Sequence, residues 1–198
     1  MTNLAVKLMT ESEYLEMERN SDSKHEFYQG EIFAMVGAKR VHNQIVFNIS
    51  GLLFNHFREK NCNAYGSDMR VQVSTNGLYT YPDIVVVCGE EKYLDKTEDT
   101  LLNPSLIIEV LSDSTENYDR GKKFALYRGL ESLKEYMLVS SEYRKVEIFR
   151  KNGAGQWVLS DVNEDEPAVL ESVACSLLLN DIYNKVEFPE FISLHPGK

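Results

Sequence analysis

Two carboxylates stand inside apolar strands, and they constrain this chain more than any other feature. Asp83 follows Pro82 and opens the run Ile84-Val85-Val86-Val87-Cys88, and Glu109 is embedded in Leu106-Ile107-Ile108-Glu109-Val110-Leu111. Continuous runs this rich in β-branched residues read as strands buried on both faces of a sheet. An ionised carboxylate left alone there costs several kcal/mol, so something must compensate it: a bound cation, a buried Lys or Arg, or a strand end wet by solvent. Strand alternation sends Leu106, Ile108 and Val110 to one face and Ile107, Glu109 and Leu111 to the other. If the two strands are neighbours, the carboxylates converge. With waters and a backbone carbonyl they then make a hard oxygen site suited to Mg²⁺ or Mn²⁺. Two separate structural salt bridges are the alternative.

A third charged feature bears on that choice. Residues 112–138 read as a helix leading into a strand, and Asp119, Lys123 and Tyr127 fall at i, i+4 and i+8 on one helical face. Asp119 and Lys123 also make an ordinary helical ion pair. Lys123 could instead reach over the sheet toward Glu109, where a cation would orient a water and stabilise charge building on a phosphate. Its neighbour Lys122 points elsewhere, toward solvent.

The remaining pattern supplies the layers around these residues. Thr10 with Glu13 makes a capping box ahead of a short helix. His25 to Met35 reads as a hairpin turned at Gln29-Gly30. Ile45, Val46, Ile49, Leu52, Leu53 and Phe57 recur at helical spacing from His42 to about Lys60. Residues 61–68 read as a loop, 69–74 as a strand turned at Asn76-Gly77, and 78–88 as one further strand. Residues 89–103 read as a loop or short helix, 105–111 as a strand and 114–129 as helix. Strands follow at 135–139, 145–149 and 156–159, the last two joined by a turn at Lys151-Asn152-Gly153. A short helix is expected over 176–183 and a loose tail from Pro189. This order predicts an α/β fold of α+β type, a central mixed sheet flanked by helices.

The length of 198 residues suits one domain, with a core from about residue 10 to residue 185. A hydrophobic fraction of 43% excludes global disorder. The formal charge of -10 argues against coating nucleic acid by bulk electrostatics and leaves room only for a local basic groove. Lys39, Arg40, Arg58, Lys60, Arg70 and later cations are scattered. Cys62, Cys88 and Cys175 lie far apart without CxxC spacing, which predicts buried thiols rather than bridges and a reducing compartment. Four histidines without HxH or HxxxH spacing offer no zinc site. The N-terminus is too charged for a signal peptide, and no run approaches the ~20 apolar residues of a membrane span, so a cytoplasmic location without membrane contact is expected. No GxGxxG or phosphate-cradling glycine loop is present.

Taken in order, Tyr81-Pro82-Asp83 and Ile108-Glu109-Val110-Leu111, 26 residues from acid to acid, resemble the PD-(D/E)XK nuclease superfamily. The longer set EFYQGEIFAMVGA, RVHNQIVFNIS, YPDIVVVC, NPSLIIEVLSDST, YDRGKKFALY and LKEYMLV resembles the Uma-two family of restriction endonucleases within it, over roughly residues 10 to 185. The resemblance implies a restriction-endonuclease-like core and Mg²⁺- or Mn²⁺-dependent hydrolysis of phosphodiester bonds in DNA. Asp83 and Glu109 match the metal-binding acids, with the Val110 carbonyl as a third ligand. The superfamily's usual Lys, two positions after the Glu, is Leu111 here, and Lys123 on the following helix matches the family's substitute. Glu31 matches an acidic position in the early hairpin, and His42, at the start of the first long helix, is a further accessory residue. Two other readings accompany this one: a nuclease-fold module that binds without cutting, and a metal-dependent hydrolase of another phosphate substrate. Hairpin strands with open edges also lead to an expected homo-oligomer, a twofold dimer.

Overall fold

A computed structural model of the chain describes residues 8–113 and 115–188. The tail expected to be loose from Pro189 lies outside them. Helix α1 (Glu11–Arg19) begins on the capping box: Thr10 Oγ1 accepts from the Glu13 amide at 3.2 Å, and Glu13 Oε2 accepts from the Thr10 amide at 2.8 Å. Its Tyr14 buries against Phe27 and Tyr79. Strands β1 (His25–Tyr28) and β2 (Glu31–Ala34) form the hairpin, with Gln29 and Gly30 both at positive φ as a tight primed turn requires. Helix α2 (Arg40–Phe57) follows.

The strands then distribute between two sheets. β3 (Cys62–Gly66), β6 (Ile84–Cys88), β8 (Leu106–Leu111), β9 (Glu135–Ser140), β10 (Val146–Lys151) and β11 (Trp157–Asp161) lie in the order β11-β10-β9-β8-β6-β3. Only the β8–β9 pair in this sheet is parallel, so the sheet is mixed. β4 (Arg70–Val73), β5 (Leu78–Thr80) and β7 (Thr100–Leu101) join the first hairpin in a second sheet, β2-β1-β5-β4-β7. A small hairpin, β12 (Pro167–Leu170) with β13 (Cys175–Leu178), stands apart.

The central strands β6, β8 and β9 of the six-stranded sheet are buried on both faces, as their sequences demand. One face, with Ile84, Val86, Leu106 and Ile108, packs under α2 through Ile45, Ile49 and Leu53. The small hairpin and α5 (Leu179–Ile182) complete that layer. The other face, with Val85, Val87, Ile107 and Leu111, meets Val71, Val73 and Leu78 of the second sheet. Each such side chain taken fully from water contributes about 1.5–3 kcal/mol. Between the sheets runs a broken helix: α3 (Glu116–Tyr118), a π-turn over Asp119–Lys123, and α4 (Phe124–Tyr127).

Several expectations need correction. Residues 78–88 are not one strand: β5 and β6 lie in different sheets. The residues between them include Pro82, which cannot donate into a ladder, so the chain changes sheet there. Residues 61–68 are not a loop but carry the edge strand β3, and residues 89–103 contain β7. β12 was not expected, and residues 176–183 open as strand before their single helical turn. The cysteine expectation fails for two of three: Cys62 and Cys88 are directly opposed in the β3–β6 register, with Cα atoms 4.0 Å apart, and form a disulfide. Their separation in sequence hides a contact that only the register creates. Cys175 is a buried free thiol, as expected. Among the described residues no helix is long and apolar enough to cross a membrane.

Candidate active site

The change of sheet at Pro82 leaves Asp83 at the entry to β6. Because β6 runs antiparallel to β8 with Ile84 opposite Ile108, Asp83 comes to stand beside Glu109. The two acids are tied reciprocally through backbone: the Val110 amide donates to Asp83 Oδ2 at 2.8 Å, and the Asp83 amide donates to Glu109 Oε2 at 3.2 Å. The parity argument places Glu109 on the face toward the broken helix, and Lys123 meets it there with Nζ 2.9 Å from Oε1. The Tyr127 hydroxyl donates to the same oxygen at 2.9 Å. The π-turn fits its widened coil into this contact, since both of its terminal side chains, Asp119 and Lys123, are buried. π-turns inside helices occur often at functional sites. Tyr136 anchors it by donating its hydroxyl to the Asp119 carbonyl at 3.1 Å.

Two more carboxylates share the same lysine. Glu26 Oε1 is 3.2 Å from Lys123 Nζ, and Asp119 Oδ1 is 3.6 Å away. Glu26 also accepts from the Thr80 hydroxyl and from the Tyr118 hydroxyl, the latter at 3.3 Å. His42, in the first turn of α2, approaches Asp83 Oδ2 with Nε2 at 3.1 Å. Its Nδ1 is buried without a hydrogen-bond partner among the described residues.

Glu109, Glu26 and Asp119 thus surround one lysine, with Asp83 beside Glu109, and acid outnumbers base. Burial pushes the Glu109 carboxyl up to about 8; Lys123 pulls against this and the charge of Asp83 adds to it. Asp119 is raised for the same first reason, burial, with Lys123 again opposing. Burial alone would lower the Lys123 ammonium, but Glu109 foremost, with Tyr127, Glu26 and Asp119, holds it well above its ordinary value. The lysine is therefore the fixed positive charge of the cluster.

A cavity of about 420 Å³ opens onto these groups, with buried Glu109 and Lys123, half-buried Asp83 and the exposed residues Phe33, Val36 and Lys39 in its wall. The excess of buried carboxylate over cation is the observation that fits a divalent metal, because a further positive charge would relieve it. Asp83 and Glu109 could hold such an ion. Among the described residues no three His, Cys, Asp or Glu side chains form a ready cage. Two carboxylates with water completing the shell is the arrangement Mg²⁺ tolerates.

The structure therefore brings Asp83, Glu109, Lys123 and His42 together. Val110 enters through its amide, which holds Asp83. Glu31 does not join them: it is exposed on β2 opposite Tyr28, and the acid that the early hairpin contributes is Glu26. Alternation in His25–Tyr28 puts Glu26 and Tyr28 on the face opposite Phe27, and Phe27 belongs to the α1 core, so an acid directly before an inward Phe carried the signal. Thr80 and Tyr118 had no comparable signature.

The family model described as "Uma2: Putative restriction endonuclease" matches residues 11–179. Two uncharacterized proteins of Synechocystis are similar along most of their length. One, sll1609, is 38% identical over 162 residues, covering 82% of this chain and 92% of its own. The other, slr1290, is 34% identical over 180 residues, covering 91% and 94%. A crystal structure from Anabaena variabilis, described as a putative nuclease belonging to DUF820, superposes with a TM-score of 0.72 at 17% identity. It covers 87% of this chain and 96% of that one, and the likeness establishes a shared restriction-endonuclease-like fold.

Proposed function

The chain belongs to the Uma2 family of restriction endonucleases, and from that premise we propose that it is a divalent-metal-dependent endonuclease hydrolysing phosphodiester bonds in DNA. The observation that carries the reading is the convergence of Asp83, Glu109 and Lys123 where the chain crosses between sheets. Asp83 and Glu109, with the Val110 carbonyl, would hold Mg²⁺ or Mn²⁺. When bound, such an ion supplies Lewis-acid polarisation of the phosphate and a bound water of lowered pKa.

The chain's own residues supply the rest. The Val110 amide and His42 fix Asp83 through Oδ2, and Oδ1 makes no hydrogen bond among the described residues. The Tyr127 hydroxyl and Lys123 fix Glu109 through Oε1. Lys123 keeps its proton at Nζ and lies where charge builds on a phosphate oxygen during in-line attack, a preorganised contact that water could not supply as cheaply. No covalent enzyme intermediate is required.

The same proposal includes a twofold dimer. Phe47 and Phe54 are 74% and 69% exposed and lie with Gly51 along the outward face of α2. Light scattering that returned a monomer at high concentration would set the dimer aside.

The test of activity is direct. Metal-stripped protein should leave single-stranded DNA and supercoiled plasmid, which carries locally unpaired tracts, intact, and added Mg²⁺ or Mn²⁺ should start cleavage, reversed by chelator. Asp83→Asn and Glu109→Gln should each lose cleavage by about 10³-fold or more, on the scale of losing a principal transition-state contact. Cleavage unaffected by Asp83→Asn would overturn the assignment. Bound metal with no cleavage of any DNA would favour another phosphate substrate, and no metal binding would favour a non-cutting module.

A further inference from the structure

We infer that the β1–β2 hairpin beside the cavity is a stacking platform for unpaired nucleobases, so that the chain acts on single-stranded or locally unpaired nucleic acid rather than intact duplex. The inference rests on the nuclease reading and names the substrate class of that same site. Its first support is register. Phe33 is the cross-strand partner of Glu26, and cross-strand partners project from the same face of a sheet. Glu26 contacts Lys123, so Phe33 stands over the acid cluster, yet its side chain is not absorbed into any core: it is 45% exposed and lines the cavity. Val36, 86% exposed, lines the same mouth. Two exposed apolar side chains lining one otherwise acidic cavity form an apolar patch beside the acids, the kind of surface a ligand covers.

The second support is charge. Lys39 lines the same cavity, and Arg40 follows it at the start of α2; both are exposed and make no ion pair among the described residues. Lys122 lies on the same side, with its ammonium 5.0 Å from the centre of the Tyr28 ring. Tyr28 is two residues beyond Glu26 and shares its face. The cavity wall therefore combines an aromatic ring, an aliphatic side chain and the cation Lys39, with Arg40 next to it in sequence, the chemistry that holds single strands by stacking with modest phosphate contact.

The third support is what the chain lacks. A net charge of -10 gives little of the extended phosphate attraction on which duplex binding depends. A cavity of about 420 Å³ falls in the range of small-molecule sites, the scale of a single nucleotide rather than of a duplex. Binding energy from stacking, which every base can provide, resolves both constraints.

The test measures anisotropy of a fluorescein-labelled oligothymidine strand and of a labelled blunt duplex of equal length, in Ca²⁺ to suppress turnover. The single strand should bind about tenfold or more tightly than the duplex. Phe33→Ala should weaken single-strand binding by roughly five- to 150-fold, Phe33→Tyr should restore it, and Phe33→Leu should not. Because Phe33 is half exposed, circular dichroism of these variants should match wild type. The logarithmic salt slope should be shallow, about -2 for three phosphate contacts on a single strand. Equal or tighter duplex binding, no binding of either probe, or an unchanged Phe33→Ala would overturn the inference. Cleavage of duplex that Asp83→Asn abolishes and Phe33→Ala leaves untouched would sink it while leaving the nuclease reading intact. Tight single-strand binding with no cleavage in Mn²⁺ would sink the nuclease reading alone.

Discussion

Lys123 is the residue on which the site's stability turns. It is 6% exposed and within ion-pair distance of Glu26, Glu109 and Asp119. Removing one partner of a buried charge network strands the others, at a cost of about 3–5 kcal/mol. Lys123→Ala should therefore lower the unfolding free energy of metal-free protein, read from urea titration, by that amount, beyond any effect on rate. Adding Glu109→Gln to it should recover part of the loss, because a neutral amide no longer needs the ammonium. A Lys123→Ala variant as stable as wild type would mean the cluster is better hydrated than its burial indicates. At this scale the sequence was informative where a residue contradicted its surroundings. Asp83 and Glu109 stood out as acids inside apolar runs, and Lys123 and Tyr127 followed from helical spacing. Glu26 escaped because its hairpin is short and alternates weakly, and nearby Glu31 drew attention instead. His42 was visible only as a residue at the head of a helix; its contact with Asp83 comes from the packing of α2 on the sheet.

At the scale of elements, the site depends on two breaks in regular structure. The chain leaves β5 for β6 across Pro82, which puts Asp83 at a strand entry, and the helix after β8 widens into a π-turn at Asp119–Lys123. Neither break follows from periodicity, which reports faces and not turns of five. The broken helix is in turn docked at its end. A methyl group added at Gly129 would stand 2.2 Å from Thr75 Oγ1 and 3.0 Å from Val73 Cγ1, and Thr75 donates to the Gly129 carbonyl at 3.2 Å. Gly129→Ala should therefore cost about 1–3 kcal/mol, as overpacking does, and should loosen the helix that carries Lys123. Thermal unfolding of the variant checks this; an unchanged midpoint would show that the β4–β5 turn yields freely. Strands β3, β7 and β12 were hidden for a common reason. Each is short and lies at an edge of its sheet, where one missing neighbour relaxes the demand for apolar residues.

The described residues form two main sheets packed around the broken helix, with α2 and the small β12–β13 hairpin over the outer face of the larger sheet and the cavity beside the broken helix. The class of fold was legible because continuous apolar strands require cover on both sides. The division into two sheets was not, since strand order is a property of pairing and not of any one segment. The disulfide belongs to the same category. It closes a loop across 26 residues and ties edge strand β3 to the strand that Asp83 opens. Such a loop constrains the unfolded chain by about 3–4 kcal/mol. Denatured but unreduced protein should thus expose one reactive thiol, from Cys175, and reduced protein three. Three thiols without reductant would show that the pair is not bridged.

The central claim is that Asp83 and Glu109 together hold a divalent cation beside Lys123. The measurement that meets it most directly is anomalous diffraction from crystals soaked in Mn²⁺. A single strong peak should appear in the cavity, within about 2.0–2.3 Å of an oxygen from each acid, and should vanish in Glu109→Gln. Mn²⁺ absent from that position, or bound by Glu26 and Asp119 with Asp83 uninvolved, would contradict the account.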